Sequence, residues 1–124
     1  MQTILLIDDD YALVDNLKEL LQDEGYRVVS AGNGREGVKR ALEEAPDLVL
    51  TDFMMPIANG RELVLALRAM PEFRSTRIVM MSASLKAVAL SDGNGGTLDV
   101  SAFLAKPLSW EAVLAVVTKL LGAG

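Results

Sequence analysis

The sequence predicts an α/β fold in which a doubly wound, five-stranded parallel sheet has helices on both faces. Short apolar runs of strand length alternate with segments whose apolar residues recur at helical spacing. Strict alternation of this kind favours a parallel sheet, because each helix carries the chain back to the start of the next strand. Hydrophobic residues make up 51% of the 124 residues, which is enough for one packed core.

Five short runs rich in aliphatic residues are the predicted strands. They are Thr3–Ile7, Arg27–Ala31, Leu48–Thr51, Arg77–Ser82 and Phe103–Ala105. Several of these runs are apolar without alternation, which is typical of strands that helices cover on both faces. Five βα units in one short domain predict the flavodoxin-like strand order 2-1-3-4-5.

The predicted helices lie between and after these strands and end near glycine or proline. They are Tyr11–Glu24, the segment from the cap residue Asn33 to Pro46, Arg61–Met70, a short helix from Ser84, and the segment after the cap residue Ser109. The second helix is expected to bury Gly37, Val38, Ala41, Leu42 and Ala45. The helix from Ser84 is expected to be short, because three glycines follow it within residues 93–96 and each is about 1 kcal/mol less favourable than alanine in a helix.

The composition excludes several classes of protein. Without Cys the chain can form neither a disulfide nor a thiolate metal site, and it has no His. The net charge is −5 and the basic residues are scattered, which argues against a nucleic-acid surface. No apolar run approaches the ~20 residues of a membrane span, and the N-terminus does not resemble a signal peptide. We therefore expect one cytoplasmic domain over residues 1–124 with no output domain in this chain.

Polar residues gather where four of the predicted strands end. Asp8, Asp9 and Asp10 follow the first strand, Asp52 follows the third, Ser82 ends the fourth, and Lys106 follows the fifth. In open parallel sheets, sites form beyond the carboxyl ends of the strands, at the point where the strand order reverses. Two carboxylates 4 Å apart repel by about 4 kcal/mol at an effective dielectric constant of 20. A hard cation such as Mg²⁺ removes this repulsion. Asp10 is expected to cap the first helix instead.

In their order along the chain, these residues resemble the receiver domain of two-component response regulators. The matching residues are Asp8-Asp9, Asp52 with the following Pro56 and Gly60, Ser82-Ala83, and Lys106-Pro107. The resemblance covers the whole chain. It implies that Asp52 accepts a phosphoryl group from a histidine kinase or a histidine phosphotransfer protein, and that the domain then switches conformation. It also implies that the protein is not an enzyme acting on an external substrate.

The resemblance implies a Mg²⁺ cofactor and its ligands. Asp9, a carboxylate oxygen of Asp52 and the backbone carbonyl of Met54 would bind the ion directly, and Asp8 would bind it through water. Met54 and Ser84 would flank the path of the water that hydrolyses the phosphorylated form.

The resemblance also implies which residues bind the phosphoryl group and respond to it. The Ser82 hydroxyl, the backbone N–H of Ala83 and the Lys106 ammonium would contact its oxygens. Phe103 would turn inward when Ser82 moves toward the phosphate. The peptide bond before Pro107 is expected to be cis. A downstream protein or output domain would bind the face formed by the helix from Ser84, the fifth strand and the last helix.

Other functions fit the sequence less well. Residues 32–37 match the dinucleotide-binding pattern G-x-G-x-x-G, but they follow an expected edge strand, so a turn that starts a helix explains them better. A phosphatase of the haloacid dehalogenase type needs an Asp at position 54, which is Met. A flavodoxin would bind phosphate after the first strand, where three acids stand. The remaining alternative is a receiver-like interaction module that never takes phosphate.

One stretch departs from the family pattern. Residues 92–96 read DGNGG where a fourth helix normally continues, and Asp99-Val100 replaces the small pair usually found before the fifth strand. We expect this departure to affect the output face and to leave the acidic residues untouched.

Overall fold

The computed structural model describes residues 1–55, 57, 59–83 and 99–122, and these contain a five-stranded sheet. The strands are β1 (Thr3–Ile7), β2 (Arg27–Ala31), β3 (Leu48–Asp52), β4 (Arg77–Ser82) and β5 (Ala102–Ala105). Their order is β2-β1-β3-β4-β5, and each of the four pairings is parallel. The predicted fold class and strand order are confirmed. Strand order reverses between β1 and β3, so a crevice opens where these two strands end.

Four α-helices lie in the described part of the chain. They are α1 (Tyr11–Asp23), α2 (Gly34–Glu44), α3 (Gly60–Arg68) and α4 (Trp110–Leu121). Each begins after a side-chain oxygen that accepts a hydrogen bond from the N–H three residues later, and these cap residues are Asp10, Asn33, Asn59 and Ser109. None of these helices has the length and apolar character needed to cross a membrane. The helix predicted from Ser84 lies outside the described residues.

The third helix differs from the predicted Arg61–Met70 at both ends. It starts at Gly60, because Asn59 and Glu62 form a reciprocal capping box there. It ends at Arg68, since Met70 has an extended backbone before Pro71, as expected for a residue that precedes proline. A short 3-10 turn, Pro71–Phe73, then leads toward β4.

The sheet buries one apolar core on each face. Leu5 and Ile7 of β1 pack toward the core that contains Leu63 and Leu67 of α3. Ile4 and Leu6 of β1 point to the opposite face and pack in the core formed with α1 and α4. Burial on both sides explains why the strand sequences are apolar without alternation.

Helix α2 packs closely on the sheet through small residues. It buries Gly34, Gly37 and Ala41, and a Cβ atom at position 37 would lie only 2.6 Å from Cδ1 of Ile7. The prediction that Leu42 and Ala45 are buried is wrong, because both are exposed. The glycine pattern of residues 32–37 forms the start of α2 beside an edge strand, in agreement with the interpretation as a helix-start turn.

Candidate functional site

Three carboxylates meet where β1 and β3 end. Asp8 directly follows β1 and Asp52 is the last residue of β3, so the parallel pairing of these strands brings both to one edge. Carboxylate oxygens of Asp8, Asp9 and Asp52 all lie within 4.8 Å of one another. Asp8 and Asp52 are buried, with 1% and 6% of their surface exposed, whereas Asp9 is exposed. The group therefore reaches solvent through Asp9.

Asp10 has a different role from its two neighbours. Its Oδ1 accepts a hydrogen bond from the N–H of Leu13 at 3.2 Å and so caps α1. Its own N–H donates to Oδ1 of Asp8 at 3.0 Å, which helps to orient the Asp8 carboxylate. The prediction that this acid caps the helix is confirmed.

Among the described residues, the cation that pairs with carboxylates of this group is Lys106. Its Nζ lies 2.9 Å from Oδ2 of Asp8 and 3.2 Å from Oδ1 of Asp52. The backbone N–H of Lys106 donates a hydrogen bond to the carbonyl oxygen of Ser82 at 2.8 Å, which connects the end of β5 to the end of β4. The peptide bond between Lys106 and Pro107 is cis. Lys106 thus pairs with two of the three carboxylates, those of Asp8 and Asp52.

The pKa values of both partners reflect this imbalance. Burial raises the pKa of the Asp52 carboxyl, the charge of Asp8 raises it further, and Lys106 only partly opposes them. Burial alone would lower the pKa of the Lys106 ammonium, but its hydrogen bond and charge interaction with Asp8, followed by those with Asp52, raise it. The site holds more negative charge than its ammonium neutralises, which suits a hard cation.

A hydroxyl group lies at the same edge of the sheet. Ser82 ends β4, is only 2% exposed, and pairs in register with Ala105, the residue before Lys106. Asp52 pairs in register with Met81 on the same strand. The sheet therefore places Ser82 one residue beyond the level of Asp52, on the neighbouring strand. Ala83 follows at the surface.

The other predicted site residues lie around this edge or outside the described residues. Met54 follows Asp52 closely and its side chain is 67% exposed. Phe103 of β5 is 42% exposed. Ser84 and Pro56 lie outside the described residues.

The structure adds a residue that the sequence analysis overlooked. Thr51 is fully buried, and its Oγ1 donates to the carbonyl oxygen of Asp52 at 2.9 Å. This bond fixes the main chain at the end of β3. A hydroxyl residue that interrupts an apolar strand just before an acid was the available signal.

Comparisons with known proteins give a consistent result. The sequence model of the response regulator receiver domain matches residues 4–118. The transcriptional regulatory protein CpxR of Escherichia coli (strain K12) is 35% identical over 121 residues, covering 98% of this chain and 50% of CpxR. Sporulation initiation phosphotransferase F of Bacillus subtilis (strain 168) is 33% identical over 82 residues, covering 66% of this chain and 64% of that protein. The chain spans about half the length of relatives such as CpxR.

Solved structures resemble the chain over nearly its whole length. The chemotaxis response regulator CheY4 of Vibrio cholerae superposes with a TM-score of 0.86 at 28% identity, covering 97% of this chain and 98% of that one. The response regulator TrrA of Thermotoga maritima, in complex with Mg²⁺-BeF, has a TM-score of 0.82 at 28% identity, covering 97% and 99%.

Proposed function

The chain belongs to the response regulator receiver domain family, and on that premise we propose that Asp52 accepts a phosphoryl group in a Mg²⁺-dependent reaction. The observation that carries the proposal is the group of three carboxylates of Asp8, Asp9 and Asp52, two of which pair with Lys106. Receiver domains are signalling modules. The proposed reaction therefore yields the phosphorylated protein, whose changed conformation is the signal.

The carboxylate group fits a Mg²⁺ ion. Its oxygens are close enough to share one ion, and their charge exceeds that of Lys106. In the proposed arrangement Asp9, Asp52 and the backbone carbonyl of Met54 hold the ion directly, and Asp8 holds it through water. A bound ion would neutralise charge on the phosphoryl oxygens.

Asp52 is the proposed nucleophile. One of its carboxylate oxygens attacks the phosphorus of a phosphohistidine on a histidine kinase or a histidine phosphotransfer protein. The new O–P bond forms as the N–P bond breaks, and the bonding electron pair returns to the imidazole nitrogen. Lys106, the Ser82 hydroxyl and the Ala83 N–H bind the phosphoryl oxygens, so positioning and charge neutralisation supply most of the catalysis.

The phosphorylated state would be recognised at a surface next to the site. Lys106 already contacts Asp52, and movement of Ser82 toward the phosphate would free space behind it. Phe103, now 42% exposed, would turn inward and alter the face formed by β5, α4 and the helix predicted from Ser84. A downstream protein or an output domain would bind there. CpxR is named as a transcriptional regulatory protein and the Bacillus subtilis relative as a sporulation initiation phosphotransferase.

Acetyl phosphate provides the direct test. After incubation with acetyl phosphate and Mg²⁺, intact-mass measurement should show one added phosphoryl group, and none with a chelator or in Asp52→Asn. Asp15→Asn, which alters an exposed acid of α1, serves as the matched control and should be labelled like the wild type. If the wild type takes up no phosphoryl group, the alternative of a phosphate-independent interaction module gains the support.

A further inference from the structure

Gly60, the first residue of α3, lies directly against the main chain of Asp52. A Cβ atom at position 60 would lie 2.8 Å from the carbonyl oxygen of Asp52 and 2.9 Å from Cα of Phe53. It would also lie 2.8 Å from Sδ of Met80. We propose that Gly60 is a positioning residue, which sets the place of the phosphoacceptor carboxylate by allowing α3 to contact the backbone that carries it. This inference rests on the proposed function of Asp52.

The main chain beside Gly60 is held by other bonds and cannot yield easily. The N–H of Phe53 donates to the carbonyl oxygen of Met81 at 2.9 Å, and the N–H of Gly60 donates to the carbonyl oxygen of Phe53 at 2.8 Å. The hydroxyl of Thr51 donates to the carbonyl oxygen of Asp52 at 2.9 Å. A methyl group at position 60 must therefore displace either this backbone or the start of α3.

The start of α3 is also fixed. Asn59 and Glu62 form a capping box there. Farther along the helix, Leu63, Val64 and Leu67 are buried in the core between α3 and the sheet. Displacement of the helix would disturb both. Because both elements are held, neither can absorb an added methyl group alone, and the displacement is shared between the start of α3 and the end of β3. The Asp52 carboxylate moves with its part of the backbone.

Backbone freedom does not explain a glycine at this position. The glycines with a left-handed φ among the described residues are Gly25 and Gly122, and Gly60 is not one of them. Alanine is a better helix former than glycine, by about 1 kcal/mol in a helix interior. The property required at position 60 is therefore the missing side chain, because it permits the close contact with Asp52.

Small displacements of Asp52 affect every partner of its carboxylate. Its Oδ1 lies 3.2 Å from Nζ of Lys106, and its oxygens lie within 4.8 Å of those of Asp8 and Asp9. The backbone carbonyl of Met54, two residues after Asp52, belongs to the proposed metal site. Misplacement of a reacting group by about 1 Å can reduce a rate by about 100-fold.

The test compares Gly60→Ala with the matched control Gly37→Ala. The three atoms nearest to a Cβ atom at position 37 are side-chain atoms of Ile7, the closest being Cδ1 at 2.6 Å, and no main-chain atom is among them. Labelling by acetyl phosphate is followed by intact mass at saturating Mg²⁺ and donor, at a temperature where both variants are folded. Gly60→Ala should lower the maximal rate by roughly tenfold or more, and Gly37→Ala should keep the wild-type rate whatever its melting temperature. A purely structural role for Gly60 would change the melting temperature and leave the maximal rate unchanged.

Each result decides the question. A wild-type maximal rate in folded Gly60→Ala overturns the positioning role and leaves the function of Asp52 intact, whereas an unlabelled wild type overturns both. If Gly60→Ala does not fold, Gly60→Ala/Met80→Val is compared with Met80→Val alone, because the shorter side chain opens one side of the new methyl group. A maximal labelling rate in the double variant at least roughly tenfold below that of Met80→Val supports the inference, and equal maximal rates in the two proteins refute it.

Discussion

The two edges of the sheet, where the strands end and where they begin, handle charge in different ways. At the carboxyl edge, carboxylate oxygens of Asp8, Asp9 and Asp52 lie within 4.8 Å of one another, and Lys106 pairs with Asp8 and Asp52. At the amino edge, the guanidinium of Arg68 binds the chain segments that precede β4 and β5. Its Nε donates to the carbonyl oxygen of Asp99 at 3.0 Å, and its Nη1 donates to the carbonyl oxygens of Phe73 and Arg74.

The carboxyl edge has the properties of a binding site, whereas the amino edge has those of a structural scaffold. At the amino edge, the Arg68 side chain is 13% exposed, and its Nε and Nη1 contact neutral carbonyls and one exposed carboxylate. At the carboxyl edge, buried carboxylates remain under-neutralised, and the pKa of Asp52 is raised as a result of burial and the charge of Asp8. An edge that keeps such repulsion in the folded state is suited to a cation and a phosphoryl group. Substitutions at the two edges should therefore affect different properties.

The largest effect is expected for Asp9→Ala, which removes the exposed member of the carboxylate group. Mg²⁺ binding, measured by isothermal titration calorimetry, should be lost because the variant lacks a proposed direct ligand. The matched control is Asp10→Ala, which should retain Mg²⁺ binding and lower the free energy of unfolding by about 1 kcal/mol through loss of the α1 cap. Undiminished binding by Asp9→Ala would show that Mg²⁺ binds elsewhere.

Lys106→Ala should separate metal binding from phosphoryl transfer at the same edge. Mg²⁺ should bind as tightly as in the wild type or more tightly, because an ammonium that lies 2.9 Å from Asp8 is removed. Labelling by acetyl phosphate should slow by roughly tenfold or more, since the phosphoryl oxygens lose a cationic partner. Weaker Mg²⁺ binding in this variant would contradict the placement of Lys106.

Arg68→Gln should affect stability and leave the chemistry alone. Loss of the guanidinium leaves carbonyl oxygens of Phe73 and Asp99 without their donor, so urea denaturation should show a loss of about 2 kcal/mol. The labelling rate well below the melting temperature should stay at the wild-type value. Asp99→Asn is the control and should cost less than about 1 kcal/mol, because the Asp99 side chain is 77% exposed. A labelling rate that falls together with stability would mean that the two edges are coupled.

Asp52→Asn should stabilise the protein at neutral pH in the absence of Mg²⁺, because it removes a charge that burial and Asp8 disfavour in the folded state. The pKa of Asp52 in the folded protein lies above its usual value of 3.8. As the pH falls through that raised pKa toward 3.8, the folded wild type takes up a proton before the unfolded chain does, and so gains stability. Urea denaturation across this range should show the difference between the two proteins shrinking. A difference that stays constant or grows toward low pH would contradict the charge argument.

The smallest effect is expected at Met54, which is 67% exposed beside the carboxyl edge. Its thioether binds water weakly, so Met54→Asn should speed the loss of the phosphoryl group by a few fold, roughly the contribution of one added hydrogen bond of about 1 kcal/mol. Decay of the phosphorylated protein followed by intact mass measures this. A decay rate equal to or slower than that of the wild type would exclude Met54 from the path of the hydrolytic water.

The carboxyl edge could be predicted from the sequence because topology alone brings its residues together. Asp8, Asp52 and Lys106 each follow a strand, so the correct strand order places them at one edge. The amino edge could not be predicted in this way. The partners of Arg68 lie 5 to 31 residues away in irregular segments, and no periodicity links them to it.

Two details show what the sequence did and did not reveal. The start of α3 carried a readable signal, the capping box of Asn59 and Glu62, which the prediction of Arg61 as first residue overlooked. The pair Asp99-Val100 stood out as a departure from the family, but its role needed the structure. Asp99 pairs with Arg68 at 3.3 Å, and Val100 packs against the core.

The proposed role of the carboxyl edge is to place a phosphoryl group on Asp52. Borohydride reduction tests it most directly, because it converts an acyl phosphate on aspartate into homoserine, which peptide mapping by tandem mass spectrometry then locates. After treatment with acetyl phosphate and Mg²⁺, homoserine should appear at position 52 alone, and it should be absent when a chelator replaces Mg²⁺. Homoserine at position 8 or 9, or no homoserine in a protein that has gained a phosphoryl mass, would contradict the account.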